Sequence, residues 1–297
     1  MRVFVTGATG FVGSAVVEEL IRGGHQVLGL ARSDASAQWL AAAGADVQRG
    51  DLKDLESLRS GAAGSDGVIH AGFIHDFANV KASCEVDEQA IKTLGAALAG
   101  SNRPLLVTSG TALISPGRVA SEEMPPAPKN PSWPRVSEET GAAQVERGVR
   151  VSAIRLSPSV HGDGDHGFVP ILIKLAREKG VSAYVGDGLN RWTGVHRLDA
   201  AVLYRLALEK GSAGARYHGA AEEGIAFRDI ATAIGKGLNL PVVSKSREES
   251  AGHFGWFAGF AGIDCPASSQ LTQERLGWRP VRRTLVADLE QGSYFKS

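Results

Sequence analysis

The stretch VFVTGATGFVG, residues 3–13, constrains this chain more than any other. An apolar run meets three glycines spaced three apart, Gly7, Gly10 and Gly13. Val12, Val16, Leu20 and Ile21 then recur at helical spacing until Gly23 and Gly24 stop the helix. The first glycine permits a tight turn, the second lets backbone approach a ligand, and the third lets the helix pack on the sheet. Thr9, Phe11 and Val12 complete the loop. A helix that starts this way presents bare N–H groups and the positive end of its dipole, which suits a pyrophosphate.

The pattern continues as alternation. HQVLGLAR, ADVQRGD, DGVIHAG, PLLVTSG and VRVSAIRL read as strands, and helical segments stand between them, the longest from about Asn79 to Gly100. Apolar strands alternating with helices predict an α/β fold, a doubly wound parallel sheet covered on both faces. The division expected is a Rossmann nucleotide-binding domain over residues 1–165, with a return segment at about 190–211, and a smaller C-terminal substrate-binding cap over 166–297.

Lys+Arg and Asp+Glu are both 32 in 297 residues, and no block of like charge occurs, so the electrostatic footprint of a nucleic-acid binder is missing. No run of 18 apolar residues occurs, and no membrane span is expected. Cys84 and Cys265 are the only cysteines and form neither a disulfide framework nor a metal cluster. The expectation is a cytoplasmic protein, monomer or homodimer, that acts on a small molecule without a metal.

The second strand ends at Arg32 and Ser33, where an NAD site usually places a carboxylate for the ribose 2′-OH. A guanidinium there matches a 2′-phosphate and favours NADP(H). Asp34 stands one step away and is the argument against it.

These residues carry a resemblance. VTGATGFVGSAVVEEL, RGDLKD, GVIHAG, VTSG, RLSPSVHGDGDHGFVP, VHRLDAA and LGWRP resemble segments of the extended short-chain dehydrogenases/reductases, the group of NAD(P)-dependent epimerases, dehydratases and ketone reductases. The resemblance runs from Val5 to about Pro280. It implies that Asp51 and Leu52 contact the adenine, and that Ala71 and Gly72 line the path from pyrophosphate to ribose. It places Thr108 and Ser109 beside the nicotinamide, Ser157 and Pro158 on its carboxamide side, and Asp199 as a helix cap.

The family's chemistry uses a serine or threonine with a Tyr-x-x-x-Lys pair, the lysine one helical turn on, lowering the tyrosine pKa. Ser109 or Thr111 fills the first role. Where the pair belongs, the chain reads SWPRVSEET, residues 132–140. It offers Pro134 or Arg135, then Glu138 or Glu139, so a carboxylate stands where an ammonium is expected and would invert the local charge. The tyrosines are Tyr184, Tyr204, Tyr217 and Tyr294, and none has a lysine four residues on. The chain therefore resembles atypical members of the family. His75, with Asp76 beside it, and His161 are the candidate proton donors; Arg135 is a candidate to stabilise an oxyanion.

In the back half, His253–Gly262 reads HFGWFAGFAG, either the wall of an apolar pocket or a packed core or dimer contact. The packed reading is preferred, because aromatic stripes usually pack. The function expected is an NADP(H)-dependent oxidoreductase for a small, mainly apolar carbonyl or alcohol. The alternatives are a non-catalytic NADP(H) redox sensor, and a lyase or isomerase on the same scaffold.

Overall fold

The structure, a computed structural model, describes residues 1–76, 78–127, 130 and 133–296. Seven parallel strands form the main sheet: β1 (Arg2–Thr6), β2 (Gln26–Ala31), β3 (Asp46–Arg49), β4 (Gly67–His70), β5 (Pro104–Gly110), β6 (Arg150–Leu156) and β10 (Arg216–Gly219). Their spatial order is β10-β6-β5-β4-β1-β2-β3, so strand order reverses between β1 and β4. In open sheets of this kind, that reversal opens a crevice at the carboxyl ends of the strands.

Helices cover both faces because the strands are apolar on both. One core cluster joins Val3, Val5, Val16 and Leu20 to Leu203 and Tyr204, so α1 (Phe11–Arg22) and α7 (Arg197–Lys210) lie on one face. Another joins Phe4, Val68 and Val107 to Leu58, Ile91 and Leu94, placing α3 (Leu55–Ala63) and α4 (Val80–Leu98) on the other. Arg103 ties the ends of those two helices to the sheet. Its Nη1 donates to the carbonyls of Ala62, Ala63 and Ser65, and its Nη2 to that of Ala97.

After β6 the chain leaves the main sheet. A three-stranded sheet forms from β7 (Ser159–His161), β9 (Arg191–His196) and β11 (Glu222–Ala226), and β8 (Ser182–Val185) pairs with β12 (Val242–Lys245). With α6 (Phe168–Lys179) and α8 (Phe227–Leu238) these enclose a third cluster around Trp192, Phe227, Phe254 and Phe257. The Trp192 and Phe227 ring centroids lie 5.0 Å apart. The aromatic run at 253–262 therefore packs: Phe254 and Phe257 are buried, and Trp256 alone stands well out at 55% exposure.

One expectation is corrected. Asp199 does not cap α7: His196 does, its Nδ1 accepting from the Leu198 amide at 3.2 Å. Asp199 lies inside the first turn, too late in sequence to cap, and its carboxylate accepts instead from the amides of Val281 and Arg282.

Candidate functional site

The glycine loop is built as a cradle. Gly7 has φ +67°, and a Cβ there would lie 2.7 Å from the backbone of Gly72 after β4. A Cβ on Gly13 would fall 1.9 Å from the Gly7 carbonyl oxygen. Gly10 donates to that carbonyl at 2.9 Å, and α1 then starts with no side-chain cap. Uncapped first-turn amides beside a loop that excludes side chains fit a dinucleotide diphosphate. Thr9 and Phe11 flank the cradle. Phe11 lies edge-on to His166 with centroids 5.7 Å apart, and the Arg197 guanidinium stands 5.1 Å over the Phe11 ring.

At the end of β2, Arg32 is exposed and makes no hydrogen bond or ion pair among the described residues. Asp34, the competing carboxylate, is occupied by Arg49, whose Nη1 also donates to the Ser33 carbonyl at 2.8 Å. Ser33 caps α2 (Asp34–Ala42) by accepting from the Ser36 amide, and Thr9 Oγ1 lies 3.3 Å from Ser36 Oγ. Arg49 was not singled out from the sequence, because the register of β2 with β3 is what brings it to Asp34. Asp51 accepts from the amides of Lys53 and Asp54, and Leu52 packs toward Gly72.

The carboxyl ends of β4 and β5 carry a continuous polar chain. The Gly72 amide donates to Thr6 Oγ1 (3.3 Å), which lies 2.7 Å from His70 Nδ1, and His70 Nε2 lies 3.2 Å from Asp87 Oδ1. Ser137 donates to Asp87 Oδ2 at 2.5 Å, and Arg135 Nε donates to Ser137 Oγ at 2.7 Å. Arg135 Nη2 donates to the Thr108 carbonyl at 2.7 Å. Thr108 Oγ1 in turn donates to the His70 carbonyl and meets Tyr204 OH, each within 2.8 Å. One set of protons satisfies the whole chain: Thr6 donates to His70 Nδ1, and His70 Nε2–H donates to Asp87. Burial pushes the Asp87 carboxyl up, but the His70 hydrogen bond and the Arg135 charge outweigh it and hold it below the ordinary value. Burial keeps the Tyr204 hydroxyl protonated well above its ordinary range.

The inverted charge expected at Glu138 does not occur. Glu138 lies in the first turn of α5 (Ser137–Ala142) and turns to Arg155 on β6, which binds both its oxygens at 2.7–3.1 Å. Arg216 adds a second cation 3.4 Å away. A cation still reaches the end of β5, and it comes from Arg135. Ser132 of the same stretch lies outside the described residues.

The remaining candidates separate. Ser109 pairs in register with Arg155, whose side chain goes to α5, so Ser109 stands on the α5 face. Its hydroxyl makes no hydrogen bond among the described residues. Thr111 is buried and bonds to Thr193 Oγ1 at 3.0 Å. Ser157 is buried with its hydroxyl on the Gly219 carbonyl, and Pro158 beside it is half-buried. His75 stacks edge-on with Phe73, and both desolvation and the Arg135 charge lower its pKa below 6.5. The Asp76 carboxylate serves the loop, accepting from the amides of Ala78 and Asn79. His161 is wholly buried, with Nδ1 2.9 Å from Asp288 Oδ2 on α12 (Leu285–Gln291). That enclosure leaves it no face toward a substrate.

Fold and cradle together define a dinucleotide-binding protein of the doubly wound class. Residues 3–219 match the NAD dependent epimerase/dehydratase family, and the chain belongs to it. It is 49% identical over 295 residues to an uncharacterized protein of Schizosaccharomyces pombe, covering 99% of this chain and 100% of that one. It is 28% identical over 225 residues to the 4-hydroxy-2-methyl-3-oxo-4-farnesyl-3,4-dihydroquinoline-1-oxide ketoreductase of Stigmatella aurantiaca, with 73% and 67% covered. Among solved structures, a double mutant of the dTDP-glucose 4,6-dehydratase of Streptomyces venezuelae superposes with a TM-score of 0.78 at 21% identity, over 99% of this chain and 96% of that one; this likeness is one of fold. No helix among the described residues is long and apolar enough to cross a membrane, and no group of three or more His, Cys, Asp or Glu among them is placed to hold a metal ion.

Proposed function

We propose that the protein is an NADP(H)-dependent oxidoreductase that reduces a small, mainly apolar carbonyl compound, or oxidises the corresponding alcohol. The observation that carries this reading is the bond from Arg135 Nη2 to the Thr108 carbonyl, which brings a cation to the end of β5 next to Ser109 in sequence. Bound nicotinamide supplies or accepts the hydride. In the reducing direction the carbonyl carbon gains that hydride with its electron pair, and the C=O π pair moves onto oxygen. Ser109 and the Arg135 guanidinium hold that oxygen as its charge grows. The proton that completes the alcohol comes from His75 or an ordered water.

Arg32 supports the phosphorylated cofactor, because it is unengaged while Asp34 is held by Arg49. On this reading the substrate lies against Phe73 and Trp133, whose rings are 6.3 Å apart, with the Arg135 guanidinium 4.2 Å over Phe73, a surface of two aromatic rings and one cation. The ketoreductase among the relatives supports a carbonyl substrate. Without a dedicated acid, the rate should lie about 10²–10⁴ below that of a fully equipped relative.

The test is NADPH-dependent turnover of a panel of ketones and aldehydes by the wild type, Ser109→Ala and Ser109→Ala/Thr111→Ala. A large loss of kcat with unchanged dinucleotide affinity supports the reading. Undiminished reduction by the double variant refutes it, and cofactor binding without turnover of any compound returns the protein to a redox sensor.

A further inference from the structure

Arg135 is held at the end of β5 by groups from distant parts of the chain. Asp87 lies on α4, 50 residues before Ser137, and only 1% of it is exposed. Both its oxygens are engaged, Oδ1 by His70 and Oδ2 by Ser137. Arg135 Nε lies 2.7 Å from Ser137 Oγ and 3.7 Å from Asp87 Oδ2, and Nη2 is fixed on the Thr108 carbonyl. The guanidinium plane rests on Phe73. A buried carboxylate needs a cation, and among the described residues Arg135 is the arginine or lysine that pairs with it. An arginine otherwise loses much rotamer freedom when it is fixed, and a group that stabilises developing charge helps only when it is already in place.

We propose that Asp87 and Ser137 are positioning residues that lock Arg135 against the end of β5, where its guanidinium holds the substrate oxygen in place of the absent Tyr-x-x-x-Lys pair. The inference rests on the reductase reading for its catalytic consequence and on geometry alone for the lock. Ser137 converts the negative charge of the buried Asp87 carboxylate into a fixed orientation of a cation that arrives on a loop. His70 and Thr6 brace the opposite side of Asp87, so the lock is continuous with the strand that enters the glycine cradle.

The experiment uses full-length protein and the variants Asp87→Asn, Ser137→Ala, Ser137→Thr, Arg135→Ala and Arg135→Ala/Ser137→Ala. The first readout needs neither substrate nor cofactor: hydrogen exchange of the Arg135 Nε–H, followed by NMR on arginine-labelled protein. A protected Nε–H in the wild type that exchanges about tenfold faster or more in Ser137→Ala and Asp87→Asn, with protection restored in Ser137→Thr, supports the lock.

The second readout is kinetic. Arg135→Ala should lower kcat about 10²–10³-fold, as removal of one oxyanion donor does. Ser137→Ala should lower kcat with the NADPH dissociation constant unchanged, and should add little to Arg135→Ala in the double variant. Equal Nε–H protection in wild type and Ser137→Ala overturns the proposal, as does full additivity of the two kcat losses. If Asp87→Asn does not fold, Ser137→Ala decides, since it removes one hydroxyl only. With no ketone turned over by the wild type, the reductase reading falls, while the exchange readout still decides whether Asp87 and Ser137 hold Arg135.

Discussion

Arg49 holds the carboxylate of Asp34, its Nη2 2.5 Å from Oδ1, and so removes the one acidic group at the end of β2 that would favour an unphosphorylated ribose. Both side chains are exposed, 53% and 88%, so the pair adds little to stability and matters for local charge. Arg32→Ala should therefore weaken NADPH binding by about ten- to a hundredfold, the equivalent of a charged hydrogen bond, and leave NADH binding nearly unchanged. Arg49→Ala should release Asp34 and shift the preference in the same direction. Calorimetric titration with both dinucleotides checks it, and equal losses for the two would show that neither arginine reads the phosphate.

Gly7→Ala should abolish measurable dinucleotide binding. The left-handed φ costs an L-residue about 1–2 kcal/mol, and the new methyl also meets the Gly72 backbone. Gly24→Ala is the control: its φ is +80°, but nothing lies within 4 Å of the added methyl. That variant should melt at a slightly lower temperature and bind cofactor normally.

Glu138→Ala strands the fully buried Arg155 guanidinium. Removing one partner of such a pair costs about 3–5 kcal/mol, so the urea midpoint should fall sharply. A small shift would mean that solvent, or the Met124 and His218 partners of Arg155, make up for the lost carboxylate.

Acid should weaken the fold through His218. Burial lowers its pKa from 6.5 to about 4, so it is neutral in the native state over a range where the unfolded chain binds a proton. The unfolded state then binds more protons, and stability rises with pH across that window. Between pH 6.5 and about 4 the wild type should lose stability steadily on acidification, and His218→Gln should flatten that slope. Urea titrations at several pH values measure it; an unchanged slope in the variant would assign the acid sensitivity to other groups.

Both thiols should be silent in the folded protein. Cys84 and Cys265 are 3% and 2% exposed, and burial pushes the Cys265 thiol up to about 12. A thiol-disulfide reagent at pH 8 should label neither until denaturant is added.

The front half of the fold was legible because its signals are local. PLLVTSG is a strand over those same seven residues, bounded by Pro104 and Gly110. The three glycines of the cradle lie within one short stretch, residues 7–13. The back half was harder. β7 is three residues long and β11 reads EEGIA, with two charges in five, and both exist because β9 pairs with them. At the site, Arg135 could be named from sequence, but its partners could not, since Asp87 and Thr108 meet it only through the sheet. One signal was available: Asp87 sits in the same helical stripe as Ala90, Ile91 and Leu94, all buried. A lone carboxylate on an apolar face needs a buried partner, and that requirement points to a cation elsewhere.

One of the two edge strands of the main sheet, β10, comes from residues 216–219, long after the chain has left β6 at Leu156. A fragment cut near residue 165 would thus expose the flank of β6 from Ala153 to Leu156 and strip α7 from α1. The nucleotide-binding half is not a detachable module: its final stave is supplied only after much of the second lobe has been made, so the two parts must be expressed, and fold, as one chain.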